Sequence, residues 1–150
     1  MVGKLGATAR RVRYRMIGDI NDRPDVLIVC VGGNDMLAGR SVREWAAGLA
    51  PVLDAAKNKA ARWCCSAPGS RIAARSCRAL RRDIERRISA QTAMSRRLCE
   101  TRDIAFLDLT HTDKVDPKRF WAVDGFHPGT FGYVVMADAI MRLLFDGAKE

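Results

Sequence analysis

The feature that most constrains the fold of this chain is a short apolar run that ends in two glycines. The run, residues 25–31, reads DVLIVCV and is followed by Gly32 and Gly33. β-Branched residues are frequent in it and no polar residue alternates with them, which is typical of a strand buried on both faces of a parallel sheet. Parallel strands are joined by long crossovers, which are usually helices. The run therefore predicts an α/β fold.

The flanking sequence contains the helices and strands that such a fold needs. Apolar periodicity and short apolar runs predict, in order, a helix over residues 7–20, a helix over 42–58, a strand over 62–67, a helix over 78–100, a strand over 104–109 and a helix over 133–145. The apolar stripe of the helix over 42–58 consists of Trp45, Leu49, Val52, Leu53 and Ala56. Alternating elements of this kind predict a parallel sheet with right-handed crossovers. No linker divides the 150 residues, so we expect one domain over residues 1–150.

Composition excludes several classes of protein. Hydrophobic residues make up 48% and charged residues 29%, which is typical of a folded domain and not of a disordered chain. No apolar run approaches the ~18–20 residues that cross a bilayer. Residues 1–9 lack the pattern of a secretory signal, and the five cysteines form neither a disulfide framework nor a CxxC zinc pattern. We expect free thiols and a cytoplasmic location.

Positive charge is concentrated in one segment. The net charge is +9, and eight Lys and Arg residues with no acidic residue lie between Asp54 and Asp83. Such a run can attract phosphates without sequence preference. It contains Trp63 as its one aromatic residue and no nucleic-acid motif, so a solvated helix face is favoured and no specific nucleic-acid partner is expected.

In proteins with open α/β sheets, the binding and catalytic residues lie just beyond the carboxyl ends of the strands. Asn34 follows the glycine turn there, and its amide is a neutral donor suited to an oxyanion. Asp124 and His127 lie three residues apart before the last helix, a spacing that can set a carboxylate against one ring nitrogen. Each motif alone has a structural alternative, a turn or a helix-entry loop. With two histidines and no ligand cluster, no metal is expected.

Taken together, the motifs resemble those of the SGNH (GDSL-type) hydrolase family of esterases and lipases. Gly6-Ala7-Thr8 opens the first helix, RPDVLI at 23–28 leads into GGND at 32–35, and DGFHP at 124–128 precedes the last helix. The family's blocks supply a Ser, a Gly, an Asn and a His in this order. The resemblance implies a three-layer α/β/α sandwich of flavodoxin-like type with a parallel sheet.

The resemblance also implies a role for each matching residue. Asn34 and the backbone N–H of Gly6 would form the oxyanion hole, His127 would be the general base and acid, and Asp124 would orient His127. Thr8 and Asp35 would be structural, at a helix start and in a turn. The expected activity is hydrolysis of a small-molecule carboxylic ester (an acyl, acetyl or lipid ester) without cofactor or metal.

One block of the family has no counterpart in this sequence. Its nucleophile lies in a Gly-Asp-Ser motif after the first strand, whereas five residues precede Gly6 here and none is serine. We therefore expect an N-terminally incomplete domain that lacks its first one or two strands and its nucleophile, and that is inactive alone. A non-catalytic remnant or binding module is the alternative. An exposed edge of the strand over 25–31 would favour self-association.

Overall fold

The structure, a computed structural model, describes residues 6–20, 24–57, 59–60, 62–66, 81–109, 115–124 and 127–145. Its elements, in chain order, are helix α1 (Ala9–Arg15), a 3-10 turn (Ile17–Asp19), strand β1 (Val26–Cys30), helix α2 (Gly33–Leu37), helix α3 (Val42–Ala56), strand β2 (Arg62–Ser66), helix α4 (Arg81–Glu100), strand β3 (Ala105–Leu107), helix α5 (Pro117–Phe120) and helix α6 (Thr130–Phe145).

The three strands form one parallel sheet in the order β1-β2-β3. Their carboxyl ends are in register, since Cys30 pairs with Ser66 and Ser66 pairs with Leu107. Strand β2 takes the middle position although its sequence, RWCCS, is poor in aliphatic residues. The predicted α/β class with a parallel sheet is confirmed, and the ends of all three strands lie along one edge of the sheet.

Helix α3 supplies the largest part of the core. Its start is stabilised by a capping box in which Ser41 and Glu44 satisfy each other's backbone N–H groups. The stripe predicted from periodicity is buried along its whole length: Trp45, Leu49, Val52, Leu53 and Ala56. Burying a side chain the size of leucine stabilises a fold by about 1.5–3 kcal/mol. Pro51 lies inside the helix without ending it.

A short polar chain inside this core joins α3 to α4. The indole Nε1 of Trp45 donates a hydrogen bond to Ser95 Oγ at 3.0 Å, and Ser95 Oγ donates to the backbone carbonyl of Gln91 at 2.8 Å. Trp45 and Ser95 are both buried, so each polar group finds its partner away from water. These bonds fix the register between the two helices more narrowly than apolar contacts alone would.

Strand β1 differs from its prediction on one face. Val29 is buried and Leu27 packs against the core, whereas Ile28 is 45% exposed and Cys30 is exposed. Successive side chains of a strand point to opposite faces, so the two pairs belong to different faces. The core that α1 and α3 build covers the first face, and the prediction of burial on both faces is wrong for the second.

The described helices include none that is long and apolar enough to cross a membrane. In the same parts of the chain, no three His, Cys, Asp or Glu side chains are grouped so that they could hold a metal ion.

Candidate active site

Asn34 lies in the first turn of α2, directly beyond the carboxyl end of β1. Gly32, the N-cap of that helix, has a φ of 121°, a backbone conformation that side chains rarely tolerate. The turn aims Asn34 at the start of α1, where its Nδ2 donates to the carbonyl of Ala7 at 3.0 Å. Nδ2 carries two hydrogens, so one remains for a further acceptor. Gly6, at φ 69°, is the residue before Ala7. The structure thus brings the segment of Gly6 next to Asn34.

Asp35 makes a second bond to the same segment. Its carboxylate is 4% exposed, and its Oδ2 accepts from the backbone N–H of Ala9 at 2.9 Å. Burial raises the pKa of Asp35, while the Ala9 N–H and the charge of Arg40 act in the opposite direction. We call the pair of bonds from Asn34 to Ala7 and from Ala9 to Asp35 the loop clamp. Asp35 therefore has a structural role in helix α2 and not in the predicted turn.

Thr8 lies between the two attachment points of the loop clamp. It is the N-cap of α1, and its hydroxyl accepts from the backbone N–H of Arg11 at 3.4 Å. An N-cap of this kind satisfies one of the free N–H groups at a helix start. The residue thus lies at the helix start where the sequence analysis expected it.

Asp124 and His127 contact each other twice. The ring Nδ1 of His127 lies 2.7 Å from Asp124 Oδ2, and the backbone N–H of His127 donates to Asp124 Oδ1 at 3.0 Å. An ionised carboxylate can only accept, so in the neutral imidazole Nδ1 carries the hydrogen and Nε2 carries the lone pair. Both side chains are about half exposed, at 50% and 57%, which leaves the ring accessible to a substrate. This is the arrangement that acid/base catalysis by histidine requires.

The described residues around this pair, Trp121–Asp124 and His127–Pro128, form what we call the histidine loop. An antiparallel bridge joins Trp121 to Pro128, and the N–H of Ala122 donates to the carbonyl of His127 at 2.8 Å. Gly125 and Phe126, between the two halves of the loop, lie outside the described residues. The loop is therefore closed at its base by backbone contacts at His127 and Pro128.

Gly132, a residue that the sequence analysis missed, seats the histidine loop on α6. A Cβ at this position would lie 2.2 Å from the carbonyl oxygen of Phe120 and 2.9 Å from Pro128 Cβ. The same carbonyl of Phe120 accepts from the N–H of Gly129 at 2.8 Å. In the sequence Gly132 directly precedes the predicted helix over 133–145, whereas in the structure it lies inside α6. A glycine inside a helix costs about 1 kcal/mol relative to alanine and usually has a packing reason.

The serines of the described residues include two with evident structural roles. Ser41 belongs to the capping box of α3, and Ser95 is buried in the bond to Trp45. Ser89 lies at an exposed position of α4, and Ser66 ends strand β2. Ser70 and Ser76 lie outside the described residues, as do Arg71, Arg75 and Arg78 of the basic run.

The chain is similar to known proteins in sequence and in fold. The model of the GDSL-like lipase/acylhydrolase family matches residues 2–135. An acetyl-xylooligosaccharide esterase from Geobacillus stearothermophilus superposes with a TM-score of 0.72 at 20% identity, covering 92% of this chain and 68% of that one. An α/β hydrolase from the metagenome of Lake Arreo, Spain, gives 0.71 at 16% identity with the same two coverages. Among curated proteins, none matches.

The contact between Gly132 and Phe120 leads to a first prediction. Gly132→Ala should lower the free energy of unfolding by about 1–3 kcal/mol, because the methyl group must displace backbone. It should also weaken the Nδ1–H signal of His127 in ¹⁵N NMR spectra, since the histidine loop shifts. Gly48→Ala is the control, because a Cβ there would meet Ala9 Cβ at an ordinary 3.4 Å. Equal effects of the two substitutions in urea unfolding would contradict the prediction.

The buried carboxylate of Asp35 leads to a prediction about pH. Its folded pKa is raised by burial, so the folded state binds the proton more tightly, and stability falls as pH rises from the ordinary value of about 3.9 through the raised pKa. Asp35→Asn should remove this decline, and the difference in unfolding free energy between the variant and the wild type should grow in favour of the variant over that window.

Asp54 is the control of opposite sign. It lies 2.7 Å from Arg102 Nε, and this hydrogen bond lowers the pKa of Asp54. The stability that the ionised carboxylate of Asp54 contributes is present above the ordinary pKa and is lost as pH falls. Asp54→Asn should therefore destabilise the fold near pH 7 and should have almost no effect on stability in acid. Urea unfolding of both variants between pH 3.5 and 7 tests the pair. If the effects of the two substitutions on the free energy of unfolding changed with pH in the same direction, at least one of the two assigned pKa directions would be wrong.

Proposed function

This chain belongs to the GDSL-like lipase/acylhydrolase family, and on that basis we propose that it carries the proton-transfer and oxyanion-binding residues of a carboxylic ester hydrolase that acts by serine acyl transfer. The observation that supports this most directly is the 2.7 Å contact between Asp124 and His127, which sets the tautomer that a general base needs. The family and the fold of the similar esterases support hydrolysis of an ester bond.

The proton transfers are assigned to His127. Nε2 takes the proton of the attacking hydroxyl and then returns it to the departing alcohol, and in the second half it activates water in the same way. Asp124 stabilises the imidazolium that forms at each step and keeps Nδ1 as the donor. Since both oxygens of Asp124 bind the same residue, the ring and its backbone are held together in one orientation.

The oxyanion is assigned to Asn34 and Gly6. The hydrogen of Asn34 Nδ2 that Ala7 does not accept and the backbone N–H of Gly6 are two neutral donors on adjoining segments. Donors fixed before the reaction stabilise charge that develops only in the transition state, and loss of one such donor costs about 10²–10³ in kcat. The loop clamp is what fixes them.

The proposal requires the two halves to meet at one acyl centre. Asn34 follows the carboxyl end of β1, and the histidine loop lies between β3 and α6. Helix α6 packs on β2 and β3, whereas α1 and α3 pack together and help to form the core. This packing supports a three-layer α/β/α sandwich, in which loops that follow parallel strands gather at the carboxyl edge.

The serine nucleophile is the part of the mechanism that no described side chain of the candidate site provides. Ser41 and Ser95 are engaged in structural bonds, and a family resemblance assigns no other serine of this sequence. We therefore also propose that this chain alone has no esterase activity. The roles of Ser41 and Ser95 also favour a second candidate, a domain of this fold that binds a ligand without turning it over.

The substrate class proposed is a small-molecule ester, and acetyl esters are the first to test. Solved structures with a similar fold are described as acetyl-xylooligosaccharide and acetylxylan esterases, at 20% and 18% identity. The half-exposed His127 suits a shallow, accessible site more than a deep acyl tunnel.

One experiment separates a complete enzyme from a silent domain. The chain is assayed with 4-nitrophenyl acetate and labelled with a fluorophosphonate, which reacts with activated serines. We expect no label and a rate within about threefold of the His127→Gln variant, because histidine-assisted transfer without a nucleophile contributes little. A labelled serine, together with a hydrolysis rate that His127→Gln abolishes, would show that the chain is an active enzyme. Peptide mapping of the label would then identify the nucleophile.

We also infer that two copies of this chain associate through the free edge of β1. Within the described residues β1 pairs on one side only, with β2, and its exposed Ile28 adds apolar surface beside the unpaired backbone. An apolar edge strand without a neighbour is a template for pairing with another strand. Two copies related by a twofold axis would bring their β1 strands together in antiparallel orientation.

Sedimentation velocity under reducing conditions tests this association. Wild-type protein should shift from monomer to dimer with concentration, and Ile28→Lys should remain monomeric, because a charge at the edge opposes strand pairing. Val134→Lys, at an exposed apolar position on α6, is the control and should behave as the wild type. A wild-type monomer at all concentrations would exclude the association.

A further inference from the structure

A cleft of about 410 Å³ lies between the turn that joins α2 to α3 and the first turns of α4. Its walls are Gly39, Arg40 and Ser41 on one side and residues of α4 between Asp83 and Gln91 on the other. The candidate active site uses none of these residues. The side chains that line the cleft are mostly polar, and three features of the cleft point to a ligand.

The first feature is an excess of guanidinium groups. Arg40, Arg86 and Arg87 line the cleft, against one carboxylate, Asp83, which pairs with Arg86. Arg40 lies 3.4 Å from Glu44 in an exposed pair. Exposed pairs of this kind hold their charges weakly and can exchange them for a better partner. With Glu44 counted beside Asp83, three guanidinium groups face two carboxylates, which leaves an excess of one positive charge at the cleft.

The second feature is the close approach of Arg87 to the turn. A Cβ at Gly39 would lie 3.2 Å from Arg87 Nη1, and Gly39 has a φ of 70°. The turn can pass this close to the guanidinium because Gly39 has no side chain. Arg87 is thereby placed against backbone, with its planar group beside the cleft. Planar guanidinium groups match carboxylates in two-point contacts.

The third feature is the amide of Gln91. Gln91 lines the cleft, is 1% exposed, and neither its Oε1 nor its Nε2 has a hydrogen-bond partner within the described residues. A buried amide without partners is costly, and native proteins rarely retain one without a role. Its two atoms need one acceptor and one donor, so a bare anion would satisfy only half of it.

From these three features we propose that the cleft binds a hydroxylated carboxylate, such as a sugar acid. The guanidinium of Arg87 binds the carboxylate of the ligand, and Arg40 adds a second positive charge. Nε2 of Gln91 donates a hydrogen bond either to this carboxylate or to a ring oxygen of the ligand. A hydroxyl of the ligand donates to Gln91 Oε1. This binding is separate from ester cleavage, and it stands or falls independently of the activity proposed above.

The place of the cleft in the fold agrees with a binding role. Helix α3 follows β1 and α4 follows β2 within parallel crossovers, so the first turns of both helices return from the carboxyl edge of the sheet. Ligands of open α/β sheets bind at that edge. The cleft therefore opens on the same edge as Asn34, beside α2 and not across the sheet.

The test compares two ligands of nearly the same shape, of which one is an anion and the other is neutral. Isothermal titration calorimetry measures binding of D-glucuronate and of D-glucose to the full chain, with acetate as a carboxylate that carries no hydroxyl group. We expect glucuronate to bind at least about tenfold more tightly than glucose, because charge-assisted hydrogen bonds are the stronger ones. Acetate should bind more weakly than glucuronate, since it has no hydroxyl to donate to Oε1 of Gln91.

Three variants assign the binding to the cleft. Arg87→Gln and Gln91→Leu should each weaken glucuronate binding about fivefold or more, as expected for the loss of one hydrogen-bonding group. Arg97→Gln is the matched control, because it removes an exposed charge from the same helix ten residues further along, about 15 Å away. Its affinity should stay within about twofold of the wild type. Circular dichroism confirms that each variant is folded.

Several results would overturn the proposal. Equal affinity for glucuronate and glucose would exclude a role for the carboxylate. Equal weakening by Arg87→Gln and Arg97→Gln would reduce the effect to net charge. Unchanged binding in Gln91→Leu, together with a more stable fold, would show that the amide is merely buried and tolerated.

Discussion

Two hydrogen bonds made by neighbouring side chains hold the start of helix α1 against the end of strand β1, and the placement of Gly6 beside Asn34 in the candidate site depends on them. Asn34 binds the carbonyl of Ala7, and Asp35 accepts from the N–H of Ala9. One side chain satisfies an acceptor and the other a donor, so the α1 segment cannot slide without breaking both. Asp35 is buried, and the cost of burying its carboxylate is part of what makes this contact specific.

The histidine loop is held in a different way, by close contacts between backbone groups. Gly129 donates to the carbonyl of Phe120, and Gly132 lets that carbonyl lie against helix α6. Phe120 is fully buried and stacks edge-on with Trp121 at 4.8 Å between ring centroids. The position of His127 therefore rests on packing around residues that take no part in chemistry.

The periodicity of apolar residues in the sequence was sufficient to predict the buried residues of a helix that buries one whole face. The stripe of α3 was predicted residue by residue, because burial there follows a single period of 3.6. It was insufficient for β1, where burial depends on which neighbours cover each face, and Ile28 proved exposed. The short helices Gly33–Leu37 and Pro117–Phe120 were not predicted, since a five- or four-residue helix has too little periodicity to be seen.

The candidate site shows the same division. Asn34, Asp124 and His127 could be singled out because amide and imidazole groups beside glycines point to chemistry. Gly132 could not, because the need for glycine arises from Phe120, twelve positions earlier along the chain. The role of Asp35 also depends on a partner, the backbone N–H of Ala9, that only the folded chain brings near.

The two contacts between Asp124 and His127 have a consequence for how such a site can change over evolutionary time. Acceptor and ring are separated by three positions, so both contacts can survive a rearrangement that keeps residues 124–127 together with the packing around Phe120 and Gly132. The contact between Asn34 and Ala7 joins segments 27 residues apart and is lost when either segment is lost. The two halves of the candidate site therefore differ in how much of the chain each one requires.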